Sequence, residues 1–171
     1  MVYSKRNDGR KFDELRPLKA EVGVIPKADG SARFQIGKTI AIASVYGPRG
    51  LHPKFLQDPT TGILRCNYNM MSFSGAGDRV RPGPSRRSKE ISLVIKNALE
   101  PVLNLKNFPG TVVDVFIEMI QTDAGTRCAG VTAAALALAD AGFQMRDLVA
   151  GVAIGKIDGK IIVDVDKFEE D

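Results

Sequence analysis

Residues 111–141 read TVVDVFIEMIQTDAGTRCAGVTAAALALADA, and this stretch decides the fold. In residues 111–121 a fully apolar face alternates with a mixed face, which predicts a largely buried strand. Residues 127–141 are apolar nearly all round, which predicts a helix in the interior. The turn at residues 123–127 joins the two elements. Because buried elements flank the turn on both sides, we expect it to be held rigidly, as a preorganised site requires.

This turn, Asp-Ala-Gly-Thr-Arg, has the composition of an anion-binding site. The first N–H groups of a helix have no partner within the helix, and the helix dipole favours negative charge beside them. Thr126 is the expected N-cap, Gly125 lets a ligand approach the backbone, and Arg127 offers a planar set of donors for phosphate. The turn alone leaves open a plainer interpretation, in which the helix is capped and its arginine faces water.

Composition limits the class of protein. A chain of 171 residues with 44% apolar and 26% charged residues is sufficient for one domain with a core. No apolar run approaches membrane-spanning length, so we expect a soluble, cytoplasmic protein with no membrane partner. Cys66 and Cys128 have no metal-binding spacing and are interpreted as reduced packing residues. The single histidine, His52, argues against a zinc site or a histidine-based triad.

The charges are unevenly distributed along the chain. The last eight positions hold five of the 20 acidic residues and one basic residue, so residues 1–163 carry 23 basic and 15 acidic residues. A basic body that ends in an acidic cluster suits a polyanionic ligand held beside a divalent cation or a proton donor. A solvated acidic tail is the alternative that composition leaves open.

Other elements follow from periodicity and from turn residues. A helix is expected to begin after Ser85 and to kink or end at Pro101. Asp158-Gly159 is the strongest hairpin signal in the chain. The four residues 47–50, Gly-Pro-Arg-Gly, are expected to end the third strand. Further strands are predicted at residues 20–26, 32–36, 39–46, 64–74, 148–157 and 160–165.

Two groups of residues suggest nucleic-acid binding. Arg65 and Tyr68 supply a phosphate contact and a base-stacking ring, although positions three apart in a regular strand point to opposite faces. A core tyrosine with a solvated arginine is the alternative. Residues 75–90 are the most basic segment, and Arg86 and Arg87 lie in a helix's first turn, where cations oppose the dipole. An anionic ligand would remove that conflict.

Four motifs in order resemble the RNase PH superfamily. They are the N-terminal pattern Arg6-x-Asp8-Gly9-Arg10-x-x-x-Glu14-x-Arg16, the helix start at residues 84–90, the turn at residues 123–127, and Glu169-Glu170-Asp171. Residues 139–148 are most similar to the catalytic RNase PH-like subunit of the archaeal exosome. The resemblance covers essentially the whole chain. It implies an α+β fold of the ribosomal-protein domain 2-like type, with a mixed sheet and packed helices.

The resemblance also implies an activity, in which inorganic phosphate is the co-substrate. The family's phosphorolytic 3′→5′ exoribonucleases use it to release nucleoside diphosphates from the 3′ end of single-stranded RNA. By position, Gly125, Thr126 and Arg127 would hold the phosphate, and Asp171 would act as general acid or ligate a divalent ion, usually Mg²⁺. The residues expected to contact RNA are Arg49, Arg65, Tyr68, Arg86 and Arg87. Implied partners are a paralogous RNase PH-like subunit in a hexameric ring and RNA-binding cap subunits.

One departure from the family pattern matters. The family has a second catalytic aspartate shortly after the first, followed by further strand and helix, whereas this sequence stops at Asp171. Residues 1–171 are therefore expected to form one RNase PH-like domain truncated at its C-terminus, and to be inactive alone. Two alternatives are a non-catalytic RNA-binding or scaffold subunit of such a ring and a bacterial-type RNase PH that trims tRNA.

Overall fold

The computed structural model describes residues 5–81 and 83–170. Its strands are β1 Leu18–Val22, β2 Gly30–Ile36, β3 Thr39–Gly50, β4 Ile63–Met70, β5 Thr111–Gln121, β6 Ile154–Ile157 and β7 Lys160–Val163. Its α-helices are α1 Arg86–Leu99, α2 Thr126–Asp140 and α3 Lys167–Glu170. Short 3₁₀ turns lie at Lys54–Leu56, Glu100–Val102 and Leu105–Asn107. Among the helices of these described residues, none combines the length and the hydrophobicity that crossing a bilayer requires.

Strand β5 is interior to the main sheet. The sheet has the order β1-β2-β3-β5-β4, and β5 pairs antiparallel with β3 and parallel with β4. The apolar face of β5 is fully buried, with Val113, Val115, Ile117 and Met119 all at 0% exposure. The predicted bounds of this strand are confirmed, and so is the predicted α+β class with a mixed sheet.

Helix α2 packs against the buried face of the sheet. Ten of its 15 residues are buried, in agreement with the interior helix predicted for this segment. Its small side chains allow a close approach, since a Cβ atom added at Gly130 would lie 3.5 Å from Ile117 of β5 and 3.4 Å from Ile95 of α1. The strand and helices thus form one core, and the turn before α2 emerges at its edge.

Gly30 brings the backbone of β2 close to the C-terminal end of α2. A Cβ atom there would lie 2.3 Å from the Ala141 nitrogen and 2.4 Å from the Ala137 carbonyl oxygen. We expect Gly30→Ala to lower the free energy of unfolding by about 1–3 kcal/mol, because helix backbone cannot yield as a flexible side chain can. Gly50→Ala in β3 is the matched control, since no described atom lies within 4 Å of its Cβ position. Equal urea midpoints for the two variants would contradict the prediction.

Several predicted bounds were wrong. β1 begins at Leu18 and ends at Val22 rather than at residue 26. β3 continues through the Gly-Pro-Arg-Gly segment to Gly50, because a register shift between Tyr46 and Arg49 accommodates the proline. β4 ends at Met70, four residues early.

The C-terminal hairpin is present, although both strands are shorter than predicted, and β7 ends at Val163 rather than at residue 165. β6 begins at Ile154 rather than at residue 148. The preceding segment binds α2 instead of a strand, since the Gly151 N–H donates to Thr132 Oγ1 at 3.1 Å. Asp158 and Gly159 form the turn between β6 and β7, with φ of 47° and 80°. A two-residue hairpin turn of type I′ requires positive φ at both central residues.

Candidate phosphate-binding site

The N-terminus of α2 differs in one respect from the prediction. Gly125, not Thr126, occupies the N-cap position, with φ of 66°, and Thr126 is the first helical residue. No side chain among the described residues caps this end, and residues 126–129 include no acidic residue. Glycine adopts the left-handed conformation without strain and has no side chain to occupy the first-turn amides. With Gly125 as the N-cap, the first amides of α2 are more accessible to an anion than they would be with a threonine cap.

The N-terminus of α1 is closed by comparison. Ser85 Oγ accepts from the Ser88 N–H at 3.0 Å, and Ser88 Oγ accepts from the Ser85 N–H at 2.7 Å. This reciprocal arrangement satisfies donors that would otherwise await a ligand. The predicted start of α1 is confirmed, and side chains satisfy the N–H groups of Ser85 and Ser88.

The uncapped end of α2 opens into a cleft of about 490 Å³. Its lining includes Gly125, Thr126 and Arg127 together with Arg87 from α1. The structure thus brings together four of the residues predicted to bind phosphate or RNA. Lys167 and Glu170 of α3 line the same cleft and were not predicted. Three cationic side chains and one carboxylate surround the helix end, so the cleft favours an anionic ligand.

The two arginines of the cleft are held by neighbours. Arg87 Nη2 donates to Thr126 Oγ1 at 3.4 Å, which joins α1 to the first residue of α2. Arg127 Nη2 donates to Glu90 Oε1 at 2.7 Å, and the Arg127 side chain is 52% exposed. An exposed pair of this kind contributes little to stability and can be exchanged for a ligand. Both guanidinium groups are therefore placed at the cleft without being buried in the core.

Buried polar groups support the turn from below. Thr39 Oγ1 accepts from the Asp123 N–H at 2.9 Å and donates to the Ala124 carbonyl at 2.7 Å. Arg16 Nη1 donates to the Asp123 carbonyl. These bonds fix two carbonyl groups of the turn. Thr39 has no local sequence signal and was not predicted. Arg16 was identified only as part of the N-terminal motif.

Arg16 also forms a buried ion pair with Asp164. Its Nε and Nη2 donate to the two carboxylate oxygens at 2.8 and 2.7 Å, and Asp164 is 1% exposed. Burial acts to raise the pKa of Asp164, but hydrogen bonds from Arg16 and the charges of Arg16 and Arg10 hold that pKa below its ordinary value. The carboxylate is therefore ionised in the folded protein over the physiological range.

The acidic cluster does not form a metal site within the described residues. Asp164 is paired with Arg16, and Glu169 is paired with Arg6. No group of three or more His, Cys, Asp or Glu residues in this part of the chain is arranged to hold an ion. Asp171, the predicted acid and metal ligand, lies outside the described residues. Its role and that of a divalent ion stay predictions.

Three of the arginines predicted to contact RNA lie outside the lining of this cleft. Arg86 is exposed at the first position of α1. Arg49 lies over the Tyr46 ring at 4.9 Å, with its side chain 59% exposed. Arg65 makes a two-point ion pair with Asp114 of the neighbouring strand, and its side chain is 53% exposed. All three are accessible, and their contact with RNA stays a prediction.

The base-stacking role of Tyr68 needs correction. Tyr68 is 4% exposed and belongs to the core, whereas Arg65 lies on the other face of β4. The alternation of the strand therefore separates them, as the period of two requires. Burial raises the pKa of Tyr68, with Thr126 and the charges of Arg87 and Arg127 acting in the opposite direction. Because its ring is enclosed by the core, Tyr68 lies beneath the site rather than stacking on a base.

Both cysteines are free within the described residues. Cys66 is buried, and burial raises its pKa to about 12, in keeping with an inert packing residue. Cys128 is only partly buried and lines the cleft.

Comparison with known proteins identifies the class. Residues 14–144 match the model of the RNase PH family, described as the 3′ exoribonuclease family, domain 1. The chain belongs to this family. It is 61% identical over 166 residues to the exosome complex component Rrp41 of Thermococcus kodakarensis, covering 97% of this chain and 66% of that protein. It is 50% identical over 170 residues to Rrp41 of Archaeoglobus fulgidus, covering 99% of this chain and 66% of that one.

Solved structures agree on the fold. The crystal structure of rice Rrp46 superposes with a TM-score of 0.85 at 28% identity, over 96% of this chain and 75% of the rice chain. A chain of the Archaeoglobus fulgidus exosome with RNA bound to the active site gives a TM-score of 0.83 at 26% identity, over 96% and 72% of the two chains. The chain thus spans about two thirds of the length of the Rrp41 proteins and about three quarters of these structures.

Proposed function

We propose that this chain is the phosphate-binding part of a phosphorolytic 3′→5′ exoribonuclease. The observation that carries the proposal is the cleft at the uncapped N-terminus of α2, with Arg87, Arg127 and Lys167 around it. A helix end and three cations suit a site that must hold two anions together, the attacking phosphate and an RNA phosphodiester. The similarity to exosome components supports the same activity.

In the proposed reaction, an oxygen of inorganic phosphate attacks the phosphorus of the last phosphodiester. A bond forms between that oxygen and the phosphorus, and the bond from the phosphorus to the 3′ oxygen of the preceding nucleotide breaks. The 3′ oxygen takes a proton, and the terminal nucleotide leaves as a nucleoside diphosphate. The amides of the α2 N-terminus and the Arg127 guanidinium lower the repulsion between the two anions and orient the attacking oxygen. Arg87 lies where it can neutralise the phosphodiester.

The surroundings of the enzyme are proposed on the same basis. Similarity to Rrp41 proteins supports an exosome assembly in which the RNA 3′ end reaches this cleft. The hexameric ring with a paralogous subunit, the cap subunits and the cytoplasmic location stay predictions. So does Mg²⁺, because the described residues do not by themselves provide a site for it.

Product analysis tests the activity. The full-length protein with any co-purifying subunits is incubated with uniformly labelled RNA, with and without inorganic phosphate, and the products are separated by thin-layer chromatography and identified by mass. We expect stepwise shortening and nucleoside diphosphates only with phosphate. RNA binding without shortening would favour the scaffold alternative. Nucleoside monophosphates formed without phosphate would indicate hydrolysis and contradict the proposal.

Arg86 provides a separate prediction about RNA affinity. Because Arg86 is exposed and outside the cleft lining, Arg86→Ala is expected to weaken RNA binding and leave turnover at saturating RNA unchanged. Loss of one phosphate contact should reduce the slope of log affinity against log salt by about 0.7. The control is Arg146→Ala. Arg146 is exposed, and its backbone N–H donates to the Val102 carbonyl, just beyond the C-terminal end of α1. If filter-binding titrations of the two variants give identical slopes of log affinity against log salt, Arg86 does not contact RNA.

A further inference from the structure

Helix α3 contributes two residues to the cleft but brings little packing of its own. It is four residues long, and its one apolar side chain, Phe168, is 79% exposed. Lys167 and Glu170 nevertheless line the cleft beside the turn at residues 123–127, which is called the phosphate turn below. Apolar burial is the usual way in which a protein fixes an element, and here it is missing. Polar bonds must therefore hold α3 in place.

Arg6 supplies those bonds. Its Nε and Nη2 donate to the two carboxylate oxygens of Glu169 at 2.9 and 2.8 Å, and both side chains are at most 1% exposed. The same guanidinium donates to the backbone carbonyls of Val163 at 2.8 Å and Asp164 at 2.7 Å. Arg6 thus ties α3 to the end of β7. Glu169 Oε2 also accepts from the Asp166 N–H at 3.1 Å, which fixes the start of the helix.

Arg16 makes the corresponding connection to the phosphate turn. It joins Asp164 on one side to the Asp123 carbonyl on the other. A Cβ atom added at Gly125 would lie only 3.2 Å from Arg16 Nη2, so the guanidinium packs directly beneath the turn. Asp164 is common to both connections, through its carbonyl to Arg6 and its carboxylate to Arg16.

We propose that Arg6 and Arg16 are positioning residues that place the two sides of the cleft, with Asp164 as the residue that both contact. Arg16 sets the phosphate turn, and Arg6 sets the acidic segment at residues 164–170. The inference rests on the proposed function for its kinetic consequences, but the placement itself can be measured without activity. A planar guanidinium makes bonds in two directions at once, and an ammonium group cannot reproduce that geometry.

The two arginines should therefore affect the KM for phosphate to different extents. Arg16→Lys displaces the phosphate-binding turn at residues 123–127, so the KM for phosphate is expected to rise about tenfold to a hundredfold. Arg6→Lys leaves the bond from Arg16 to the turn in place and displaces Lys167 of α3, so the KM for phosphate is expected to rise less, by about twofold to tenfold. A merely structural role would lower the amount of folded enzyme, which reduces kcat without a change in the KM for phosphate.

The test uses the full-length protein with its co-purifying subunits. Kinetics are measured for Arg6→Lys, Arg16→Lys and the control Arg33→Lys, whose ion pair with Glu21 lies away from the cleft on β2 and β1. Hydrogen exchange is followed in parallel at residues 123–128 and 166–170, with inorganic phosphate as the probe. We expect faster exchange at residues 166–170 in Arg6→Lys, and loss of phosphate protection at residues 123–128 in Arg16→Lys. Glu169→Gln tests the first connection again if Arg6→Lys does not fold.

The outcomes are distinguishable. An unchanged KM for phosphate in both variants, or exchange at both segments equal to that of Arg33→Lys, would overturn the inference. A wild-type protein without phosphorolysis would overturn the proposed function instead. In that case the exchange measurements still decide whether Arg6 and Arg16 place the two segments.

Discussion

Arg127→Ala is expected to reduce phosphate-dependent activity of the full-length protein by about 10²–10³-fold. The guanidinium is a preorganised cation at the open end of α2, where the attacking phosphate is proposed to bind. Among the described residues it pairs with one carboxylate, the exposed Glu90, so the free energy of unfolding should change by less than about 1 kcal/mol. Measurement of kcat/KM for phosphate, with thermal unfolding of the same samples, checks both parts.

The control for this variant is Arg33→Ala. Arg33 also makes a single ion pair with a carboxylate, at 3.4 Å, but on the sheet away from the cleft. It should retain full activity. Full activity of Arg127→Ala in the complete complex would remove Arg127 from the site and leave the helix end without its principal cation.

The second large effect concerns stability. Asp164→Ala is expected to lower the free energy of unfolding by about 3–5 kcal/mol, because it leaves the Arg16 guanidinium buried without a counter-charge. Arg10 loses the same partner, since its Nη1 lies 3.3 Å from the Asp164 carboxylate. Glu21→Ala is the control, because its pair with Arg33 is largely exposed and should contribute less than about 1 kcal/mol. Comparable urea midpoints for the two variants would contradict a stabilising role of the buried pair.

The ionisation of Asp164 should also make the free energy of unfolding depend on pH. The pKa of Asp164 is lowered in the folded protein, so its contribution to stability is present above the unfolded pKa, about 3.9, and is lost as the pH falls through the folded value. Asp164→Asn removes this titration. The difference in unfolding free energy between wild type and Asp164→Asn should therefore be constant near neutral pH and shrink below about pH 4. A difference that persists unchanged to pH 2 would show that Asp164 is not the group responsible.

Local patterns were sufficient for the central elements of the fold. The apolar and mixed faces of β5 predicted its bounds, and the Asp158-Gly159 pair identified the hairpin turn. The predicted helix start after Ser85 is formed by a capping box between Ser85 and Ser88. In each case the determining contacts lie within a few residues of one another. For the same reason the proline within β3 misled the prediction, since a bulge and its partner strand decide that position together.

The site was predicted only where its residues are adjacent in sequence. One turn contains the three residues that were identified, Gly125, Thr126 and Arg127. Thr39 accepts a hydrogen bond from the Asp123 N–H, which lies 84 positions away in the sequence. The N-cap was assigned to the wrong residue because a threonine side chain is the usual cap, and the left-handed backbone at Gly125 is a property of the folded turn. Composition allowed the acidic cluster to lie beside a divalent cation, to donate a proton or to be solvated. Its pairing with arginines 148 and 163 positions away could not be seen in the local pattern.

The pairing of the two ends of the described chain has a consequence for biosynthesis. All five strands of the main sheet lie within residues 18–121, whereas the carboxylates that pair with Arg6, Arg10 and Arg16 lie at residues 164–169 and are synthesised later. Until those residues have left the ribosome, the three arginines lack these partners. The side of the cleft that residues 164–170 form is therefore among the last parts of the described chain that can be completed.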